Sequence, residues 1–432
     1  MTTSTPQSPT RSVGMDFGTT NSVLAFADAD NGVHVVETDG ATNFPSILCF
    51  YIEEDRPGRE VLVGKAGPEA IAAYREMRED CRLIQSIKSY LANPTVSETQ
   101  IFGRRYKIED IVSVLIKGLR RSAEDQHGPL GDRVTSGRPV RFTGHKADDE
   151  LAVNRLSAAY HQSGFEDVTF AFEPLAAAYH HVRTLTTSEI CLVADLGGGT
   201  SDFSLVRFTP DTEGVRTESL GHTGIGIAGD QLDYRIVEHV VAPVLGQNSH
   251  YESFGKRLPM PIGVYRQFQR WSDLSLLKGG PTLKNLREIH KTAEDPNAIA
   301  QLIHIIDNEL GFELFRSVGR TKVALSTEEE SRFSFSAGPV TIEANITRAD
   351  FETWIAPDTQ AIEDTMLAAF TESNVRPDQV AHVFMTGGTS FVPAINRIFQ
   401  NHFRADKITR GDEFVSVGAG LALLAREDRP TT

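Results

Sequence analysis

Residues 14–22, GMDFGTTNS, place an acid, a glycine and four small polar side chains directly after a short apolar run. Apolar residues precede the acid, and residues 23–26, VLAF, follow the polar stretch, which is the pattern of two strands joined by a tight turn. Hydroxyl groups and backbone amides around Gly18 suit a phosphate, and Asp16 at a strand end suits a metal ion or its waters. The alternative is a hairpin whose polar side chains serve only the turn backbone. This stretch alone predicts a β-hairpin and leaves its ligand open.

The same pattern returns at residues 191–208, CLVADLGGGTSDFSLVRF. Its segment 195–197, DLG, parallels the segment 16–18, DFG, and hydroxyl side chains follow both. An internal repeat of this kind indicates two related lobes. We therefore expect the two hairpins to hold a polyphosphate from both sides, with Asp16 and Asp195 converging on one divalent cation.

A third glycine turn lies in residues 382–403, HVFMTGGTSFVPAINRIFQNHF. A strand is expected at 382–385 and a glycine turn at 387–389, followed by apolar residues at helical spacing. A strand–glycine–helix junction lets a flat ligand approach the backbone closely. Three such turns, two of which share the acid–apolar–glycine pattern, predict a nucleotide-binding protein.

Other known site patterns fit poorly. Residues 224–229, GIGIAG, match the dinucleotide fingerprint, but no acid ends a second strand about twenty residues later. The chain has no P-loop, no G-x-S-x-G elbow and no H-E-x-x-H helix. The three cysteines and thirteen histidines show no metal-ligand spacing, so we interpret the cysteines as buried thiols of a reducing compartment.

Bulk properties exclude several partners. The 432 residues allow one to three domains, and the net charge of -15 argues against nucleic acid or an anionic membrane as the main partner. No apolar run approaches the length of a membrane span. The polar start of the chain has no apolar segment and is interpreted as a tail, not as a signal peptide. We expect a cytoplasmic protein.

Two further residues are candidates for chemistry. Residues 167–182, DVTFAFEPLAAAYHHV, predict a strand and then a helix with Pro174 in its first turn. Glu173 would then lie at the carboxyl end of a strand, where α/β sheets usually bind ligands, although a capping or exposed glutamate is the alternative. Lys88 lies on an amphipathic segment, where a lysine is normally only solvated.

Five motifs occur in one order along the chain: GMDFGTTNS, FEPLAAA, VADLGGGTSDFSL, TGGTSFVP and DEFVSVGAGLAL. Together they resemble the nucleotide-site motifs of the 70-kDa heat-shock chaperones of the DnaK type, within the actin/sugar-kinase/heat-shock ATPase superfamily. The resemblance covers about residues 12–425. Segments such as SGRPVRFTG and RSVGRTKVALS are similar to the YegD type, a short relative.

The resemblance implies an α/β, actin-like ATPase fold, in which two duplicated ribonuclease-H-like lobes with outer subdomains flank a nucleotide cleft. The expected divisions are a disordered tail 1–11, lobe I 12–188 with an outer subdomain at about 39–107, lobe II 189–410 with an outer subdomain at about 230–350, and a C-terminal helix 411–432 that returns to lobe I.

The resemblance also implies ATP and Mg²⁺ as cofactors. Asp16, Glu173 and Asp195 would hold Mg²⁺ through its waters. Lys88, Glu173, Asp195 and Thr200 would be catalytic, while Pro139 and Asp202 match positions used in the cleft and in coupling. The positions implied to contact ATP are Asp16, Gly18, Thr19, Thr20, Asn21, Gly197, Gly198, Gly199, Thr200, Gly229, Lys322, Ser326, Gly387, Gly388, Thr389, Phe391 and Asp412.

The chain departs from the family pattern at three positions around adenosine. Val323 and Phe391 stand where the family has two arginines that sandwich the adenine, and Gly319 stands where it has a glutamate near the ribose. Phe391 can still stack on a base, but the cation–π contribution is lost. From the residues that follow about position 425, we expect no counterpart of the family's peptide-binding β-sandwich and helical lid.

The resulting expectation is a Mg-ATP-binding protein with slow ATP hydrolysis, a chaperone-like module without a peptide-binding domain. ATP and ADP are its expected ligands, and a protein client or co-chaperone of unknown identity is its expected partner. Two alternatives stay open. A small-molecule kinase of the same superfamily would need a base such as Asp202, and an actin-like filament former would assemble with ATP.

Overall fold

The computed structural model describes residues 11–28, 32–77, 80–142, 147–212, 214–269, 274, 277, 281–410 and 415–427. The strands found there, numbered in chain order, are β1 (Ser12–Asp16), β2 (Asn21–Ala27), β3 (Val33–Val35), β4 (Phe44–Pro45), β5 (Ile47–Arg56), β6 (Arg59–Ala66), β7 (Cys81–Gln85), β8 (Glu98–Ile101), β9 (Arg104–Lys107), β10 (Arg133–Arg138), β11 (Asp167–Phe172), β12 (Glu189–Leu196), β13 (Ser201–Asp211), β14 (Gly214–Ile225), β15 (His250–Ser253), β16 (Lys256–Pro259), β17 (Glu330–Ala337), β18 (Val340–Thr347), β19 (Val380–Thr386) and β20 (Ile408–Arg410).

The α-helices in the same ranges are Gly67–Met77, Ile108–His127, Asp149–Gln162, Glu173–Ala177, Tyr179–Val182, Gly229–Ile236, Ala242–Val244, Ile262–Arg266, Pro281–His290, Pro296–Asp307, Gly311–Thr327, Arg348–Ser373, Pro393–His402 and Val415–Glu427. Short 3₁₀ segments lie at Ile87–Tyr90, Gln267–Gln269, Pro377–Gln379, Gly388–Phe391 and Ala405–Lys407, and a π-helical turn lies at Val237–Val241. Among the described helices, none has the length and apolar character that a membrane crossing requires.

Two sheets repeat one topology. The first has the strand order β11-β10-β1-β2-β3, with β4 also pairing with β2, and the second has the order β20-β19-β12-β13-β14. In both, the central strand pairs antiparallel with the strand that follows it in the chain. On its other side, the central strand pairs parallel with a strand from much later in the chain. The duplicated architecture predicted from the repeated hairpin pattern is therefore confirmed.

Both predicted glycine hairpins are present at equivalent places in these sheets. In the first, Asp16 pairs with Val23 across β1 and β2, and residues 17–20, between the end of β1 and the start of β2, form the turn. In the second, Asp195 pairs with Asp202 across β12 and β13, and residues 197–200 form the turn. The first acid of each pattern therefore lies at or next to the end of its strand.

The chain forms two compact units. The first contains the described residues up to Gly226, then Thr365–Ser390, and those from Phe399 onward. It carries both repeated sheets and the small sheets β6-β5-β7 and β8-β9. The second contains Ile227–Asp364 and Phe391–Ile398, with the hairpins β15-β16 and β17-β18. The lobe and subdomain boundaries drawn from the sequence stay predictions. Residues 1–10 of the expected tail, and 411–414 and 428–432 of the expected last segment, lie outside the described residues.

The helix Val415–Glu427 packs on β1, β2 and the helix Glu173–Ala177 within the first unit. Glycines make this close approach possible. A Cβ atom at Gly14 on β1 would collide with the backbone of Ala422, and one at Gly420 would collide with the carbonyl of Ala176. The last described helix therefore holds β1 next to the helix that begins with Glu173.

Replacing Gly14 with alanine is expected to lower the free energy of unfolding by about 1–3 kcal/mol, because the added methyl group meets backbone atoms that cannot rotate away. Urea denaturation followed by circular dichroism measures the effect. The matched control is Gly263→Ala, since Gly263 is exposed and a Cβ there meets nothing within 4 Å. Equal stability of the two variants would contradict this packing.

Candidate functional site

Acidic side chains from both repeated sheets line one cavity in the first unit. Asp16 ends β1, Glu173 follows β11, Asp195 lies near the end of β12, and Asp202 lies at the start of β13. The carboxyl ends of parallel strands share one edge of a sheet, which is where such folds bind ligands. The other lining residues are Pro139, Val140, Pro174, Ala177, Val193, Ser204, His222, Thr386 and Val417.

Lys88 is the cation among these acids. Its Nζ donates a hydrogen bond to Glu173 Oε1 at 3.0 Å, and the two side chains are only 14% and 10% exposed. Burial lowers the pKa of Lys88, but Glu173, and then Asp16 and Asp195, raise this pKa above its ordinary value overall. The general expectation of a solvated lysine on this segment is wrong, since Lys88 lies in the 3₁₀ segment Ile87–Tyr90 as a charged, buried partner of Glu173.

One lysine does not neutralise the acids around it. Burial and the nearby Glu173 raise the pKa of Asp16 to about 7, although Lys88 opposes the shift. Burial and Glu173 also raise the pKa of Asp195 to about 6, although Lys88 and a hydrogen bond from Thr386 Oγ1 to Asp195 Oδ1 at 3.1 Å lower it. Burial is the larger cause of both pKa shifts and the Glu173 carboxylate adds to it, so a cation bound beside these acids would favour their charged forms.

These carboxyl groups fit magnesium held through water. Mg²⁺ prefers oxygen ligands and keeps several of its waters in most protein sites. In the described part of the chain, the metal-ligand atoms of three residues come within 4.8 Å of one another only at His181, Glu189 and Cys191. The acids of the cavity are therefore spaced too widely to form a direct cluster around a bare ion. A magnesium ion that keeps its waters can be held by acids spaced more widely than this.

Asp202 is a buried acid with an unsatisfied oxygen. Its Oδ1 accepts no hydrogen bond from the described residues. The Nε2 atom of His222 lies 3.9 Å from this oxygen. Burial raises the pKa of Asp202 to about 7, against a hydrogen bond from Thr200 that lowers it. A carboxyl group with these properties can take up a proton near neutral pH.

Two residues beside Asp202 were not predicted from the sequence. Ser204 Oγ and His222 Nδ1 are hydrogen-bonded at 3.1 Å across β13 and β14. Burial, and then Arg141, lower the pKa of His222 to about 4, so its imidazole is neutral at pH 7. The pairing of two strands brings these side chains together, and no local motif signals it.

The turn at residues 17–20 is held from one side by the segment before β5. Ser46 donates from Oγ to Gly18 O at 2.8 Å, and from its backbone N–H to Thr20 O at 2.8 Å. Asn43 Nδ2 donates to Asn21 Oδ1 at 3.3 Å. Thr19 is half-buried and Thr20 is exposed. The turn is thus fixed by its backbone oxygens.

The turn at residues 197–200 is held by the third glycine turn. Gly197 N–H donates to Thr200 O at 3.0 Å, and Thr389 Oγ1 donates to Gly197 O at 2.7 Å. Gly387 has φ +81°, and a Cβ there would collide with the carbonyl of Leu196. Gly198 and Gly199 are half-buried. Gly387 and Thr389 therefore position the second hairpin turn, and their contact with a nucleotide stays a prediction.

Gly229, Lys322 and Ser326, three positions implied to contact ATP, lie together in the second unit. Lys322 Nζ donates to Gly229 O at 3.0 Å and forms an ion pair with Asp233 at 3.0 Å. Ser326 Oγ donates to Lys322 O at 3.2 Å. Burial raises the pKa of Asp233 to about 6, while Lys322 lowers it. Their roles toward a ligand stay predictions.

Val323 and Phe391, which the resemblance places at the family's two adenine-binding arginines, are exposed. Val323 is 66% exposed and Phe391 is 36% exposed. Nothing lies within 4 Å of a Cβ placed on Gly319. Gly388 begins the 3₁₀ segment Gly388–Phe391, and Asp412 lies outside the described residues.

The repeated sheets, each with a glycine hairpin beside an acid, define a protein of the actin-like ATPase fold. A family model described as "Hsp70 protein" matches residues 12–250 and 303–426. The chain therefore belongs to the Hsp70 family. The chaperone protein DnaK of Thermosipho africanus is 26% identical over 424 residues, which cover 96% of this chain and 59% of that protein. The chaperone protein DnaK of Thermosipho melanesiensis is 24% identical over 423 residues, which cover 96% of this chain and 60% of that protein. The chain thus spans about 60% of the length of these relatives.

Proposed function

We propose that this protein binds Mg-ATP and hydrolyses it slowly, as a chaperone-like nucleotide-binding module of the cytoplasm. The observation that carries the proposal is the buried ion pair between Lys88 and Glu173, because Glu173 lines one cavity together with Asp16 and Asp195, the acids of the two glycine hairpins. Phosphoryl transfer needs positioning and charge neutralisation more than covalent help, and this set of groups supplies both.

Each group has a distinct proposed task. Residues 18–21 and 197–200 would bind phosphate oxygens through backbone amides and hydroxyls. Lys88, kept charged by Glu173, would stabilise the charge that develops on the transferred phosphoryl group. Asp16, Glu173 and Asp195 would hold Mg²⁺ through its waters, and the bound ion would neutralise phosphate charge. Thr200 would orient the attacking water.

ATP hydrolysis by the purified protein tests the proposal. Wild type is expected to release phosphate from ATP slowly in Mg²⁺ and not in EDTA. The Asp195→Asn variant keeps the shape of the side chain, and it is expected to lose most of the rate because a ligand of the magnesium waters is gone. Equal rates for the two proteins, or a rate indifferent to EDTA, would refute the assignment.

Replacing Thr386 with valine is expected to move the acid side of the pH–activity profile to higher pH. The Thr386 hydroxyl lowers the pKa of Asp195, so its removal raises that pKa and Asp195 becomes protonated at a higher pH. Because more Asp195 is then protonated at low pH, the activity of the variant is expected to be about two- to tenfold lower near pH 6, with a smaller loss at pH 8.

The matched control for this prediction is Thr389→Val. The Thr389 hydroxyl donates to the Gly197 carbonyl and to no carboxylate among the described residues. That variant is expected to change the rate without moving the pH midpoint. A profile of Thr386→Val that coincides with wild type after scaling would contradict the role given to this hydrogen bond.

Replacing Val323 with arginine is expected to strengthen ADP binding about two- to tenfold, because the substitution restores a guanidinium plane that can contact adenine. Isothermal titration calorimetry with ADP in Mg²⁺ measures the change. Val244→Arg is the matched control, since Val244 is also an exposed helical valine, at 44% exposure. An equal change in both variants would show only a general effect of positive charge.

A small-molecule kinase is the second candidate, and Asp202 favours it. Its buried, unsatisfied Oδ1 and raised pKa are properties of a general base that deprotonates an acceptor hydroxyl. ADP release that rises at least tenfold with a sugar or polyol acceptor, and that is lost in Asp202→Asn, would support a kinase. Release independent of every acceptor would support the hydrolase. The protein client or co-chaperone remains part of the proposal without a named partner.

A further inference from the structure

A second group of possible metal ligands lies at the other end of β12 from Asp195. We call it the His-Glu-Cys cluster, and it consists of His181, Glu189, Cys191 and His382. His181 Nε2 is 3.0 Å from Glu189 Oε2, and ligand atoms of His181, Glu189 and Cys191 all lie within 4.8 Å of one another. His382 Nε2 is 3.9 Å from the same Glu189 oxygen, and its ring centroid is 4.0 Å from that of His181.

The topology of the first unit explains the convergence. Glu189 and Cys191 are two residues apart on β12, so both side chains point to one face of the sheet. His382 is the register partner of Cys191 on the parallel neighbour β19, which places its side chain on that same face. His181 comes from the helix Tyr179–Val182, which precedes β12 in the chain.

Two imidazoles, one carboxylate and one thiolate match the ligand preferences of Zn²⁺. Zinc binds nitrogen, sulfur and oxygen at about 2.0–2.3 Å, so ligand atoms in a tetrahedral site lie about 3.3–3.6 Å apart. Glu189 Oε2 lies 3.0 Å from His181 Nε2 and 3.9 Å from His382 Nε2, near that range, and a ligand atom of Cys191 lies within 4.8 Å of those of His181 and Glu189. Metal binding would draw the four side chains closer together. We propose that the His-Glu-Cys cluster binds one Zn²⁺ ion.

The surroundings of the cluster suit a bound ion. Cys191 is fully buried, whereas the side chains of Glu189 and His382 are 26% and 33% exposed, so an ion can enter from the side of these two residues. The ring of Phe384 lies 5.4 Å from that of His181 and is buried, which gives the site an apolar wall. On binding, the metal replaces the proton of the Cys191 thiol, which is released to solvent.

The proposed ion would link elements that also build the cavity of acids. β12 carries Asp195 and β19 carries Thr386, and the helix Tyr179–Val182 follows shortly after Glu173. Zinc would therefore hold together three elements of the first unit, at a distance along the strands from the phosphate-binding turns. The role proposed here is structural and does not depend on ATP hydrolysis.

Metal titration of the full chain tests the inference. Protein stripped with EDTA and dialysed is titrated with Zn²⁺ against a chromophoric chelator, with excess Mg²⁺ present to compete at the acids around Lys88. Wild type is expected to bind one Zn²⁺ per chain. Cys191→Ala and His382→Gln are each expected to weaken binding at least about tenfold. Co²⁺ in place of Zn²⁺ is expected to give tetrahedral visible bands and a thiolate charge-transfer band that is absent in Cys191→Ala.

Cys81→Ala is the matched control, because Cys81 is a half-buried cysteine of β7 and belongs to no metal-ligand group found in the described residues. It is expected to bind zinc as wild type does. His382 is partly exposed, so His382→Gln is expected to fold, and circular dichroism verifies this. Wild-type affinity weaker than about 10 µM would overturn the proposal, since structural zinc sites bind far more tightly. Unchanged zinc binding by Cys191→Ala and His382→Gln would also overturn it.

Discussion

The Lys88→Met variant is expected to hydrolyse ATP about a hundred- to a thousandfold more slowly than wild type, the usual cost of removing one donor that stabilises transition-state charge. Lys88 is the one cation that donates a hydrogen bond to an acid of the cavity within the described residues, and its pKa keeps it charged at every physiological pH. Single-turnover hydrolysis with excess enzyme measures the rate of the chemical step.

Stability must be separated from chemistry in this experiment. Removing Lys88 leaves Glu173 buried without its partner, which costs about 3–5 kcal/mol when the charge remains. The double variant Lys88→Met/Glu173→Gln removes both charges and is expected to regain stability but not activity. Lys117→Met is the matched control, since Lys117 is exposed on the helix Ile108–His127. Activity of the double variant near the wild-type level would contradict the role of Lys88.

The Asp16→Asn variant is expected to be more stable than wild type at pH 7.5 when nucleotide and Mg²⁺ are absent, by about 1–4 kcal/mol. The pKa of Asp16 is about 7 in the folded protein, against an ordinary value of 3.8. The unfolded chain therefore loses this proton more readily, and wild-type stability falls as the pH rises from about 4 through 7. Asparagine carries no charge, so this loss disappears.

Urea denaturation in EDTA at pH 5 and pH 7.5 measures this difference, which is expected to be larger at pH 7.5. Asp125→Asn is the control, because Asp125 is exposed and its replacement is expected to change stability by less than about 0.5 kcal/mol. With Mg-ATP added, the order reverses, since wild type gains stability from the ligand that Asp16→Asn binds poorly. A variant less stable than wild type at pH 7.5 in EDTA would contradict the raised pKa of Asp16.

Local patterns explain why much of the fold was predictable. Each glycine hairpin is encoded within about twenty residues by apolar runs around turn residues, and the structure has both as antiparallel strand pairs. The segment 16–18, DFG, recurs as the segment 195–197, DLG, and this repeat predicts two duplicated lobes. Pro174 marks the start of a helix and so predicts Glu173 at a strand end, and the structure has that helix at Glu173–Ala177.

Some side-chain contacts of the site join segments that are far apart in the sequence, and no local pattern predicts them. The hydrogen bond between Ser204 and His222 depends on the register of β13 with β14. The convergence of Cys191 with His382 depends on the pairing of β12 with β19, which no local spacing of histidines and cysteines can indicate. Lys88 has no local signal either, because its partner Glu173 is 85 positions away. The second unit, Ile227–Asp364 with Phe391–Ile398, covers the region where the resemblance implies an outer subdomain at about 230–350, but no repeated motif predicts the pairing of its hairpins β15-β16 and β17-β18.

Calorimetric titration with ADP tests most directly whether the two hairpin turns bind one magnesium-bound polyphosphate between them. Nucleotide-free wild-type protein is titrated in Mg²⁺ and again in EDTA. The account predicts one ADP bound per chain and markedly weaker binding when Mg²⁺ is chelated. No binding of ADP at millimolar concentration in Mg²⁺ would contradict it.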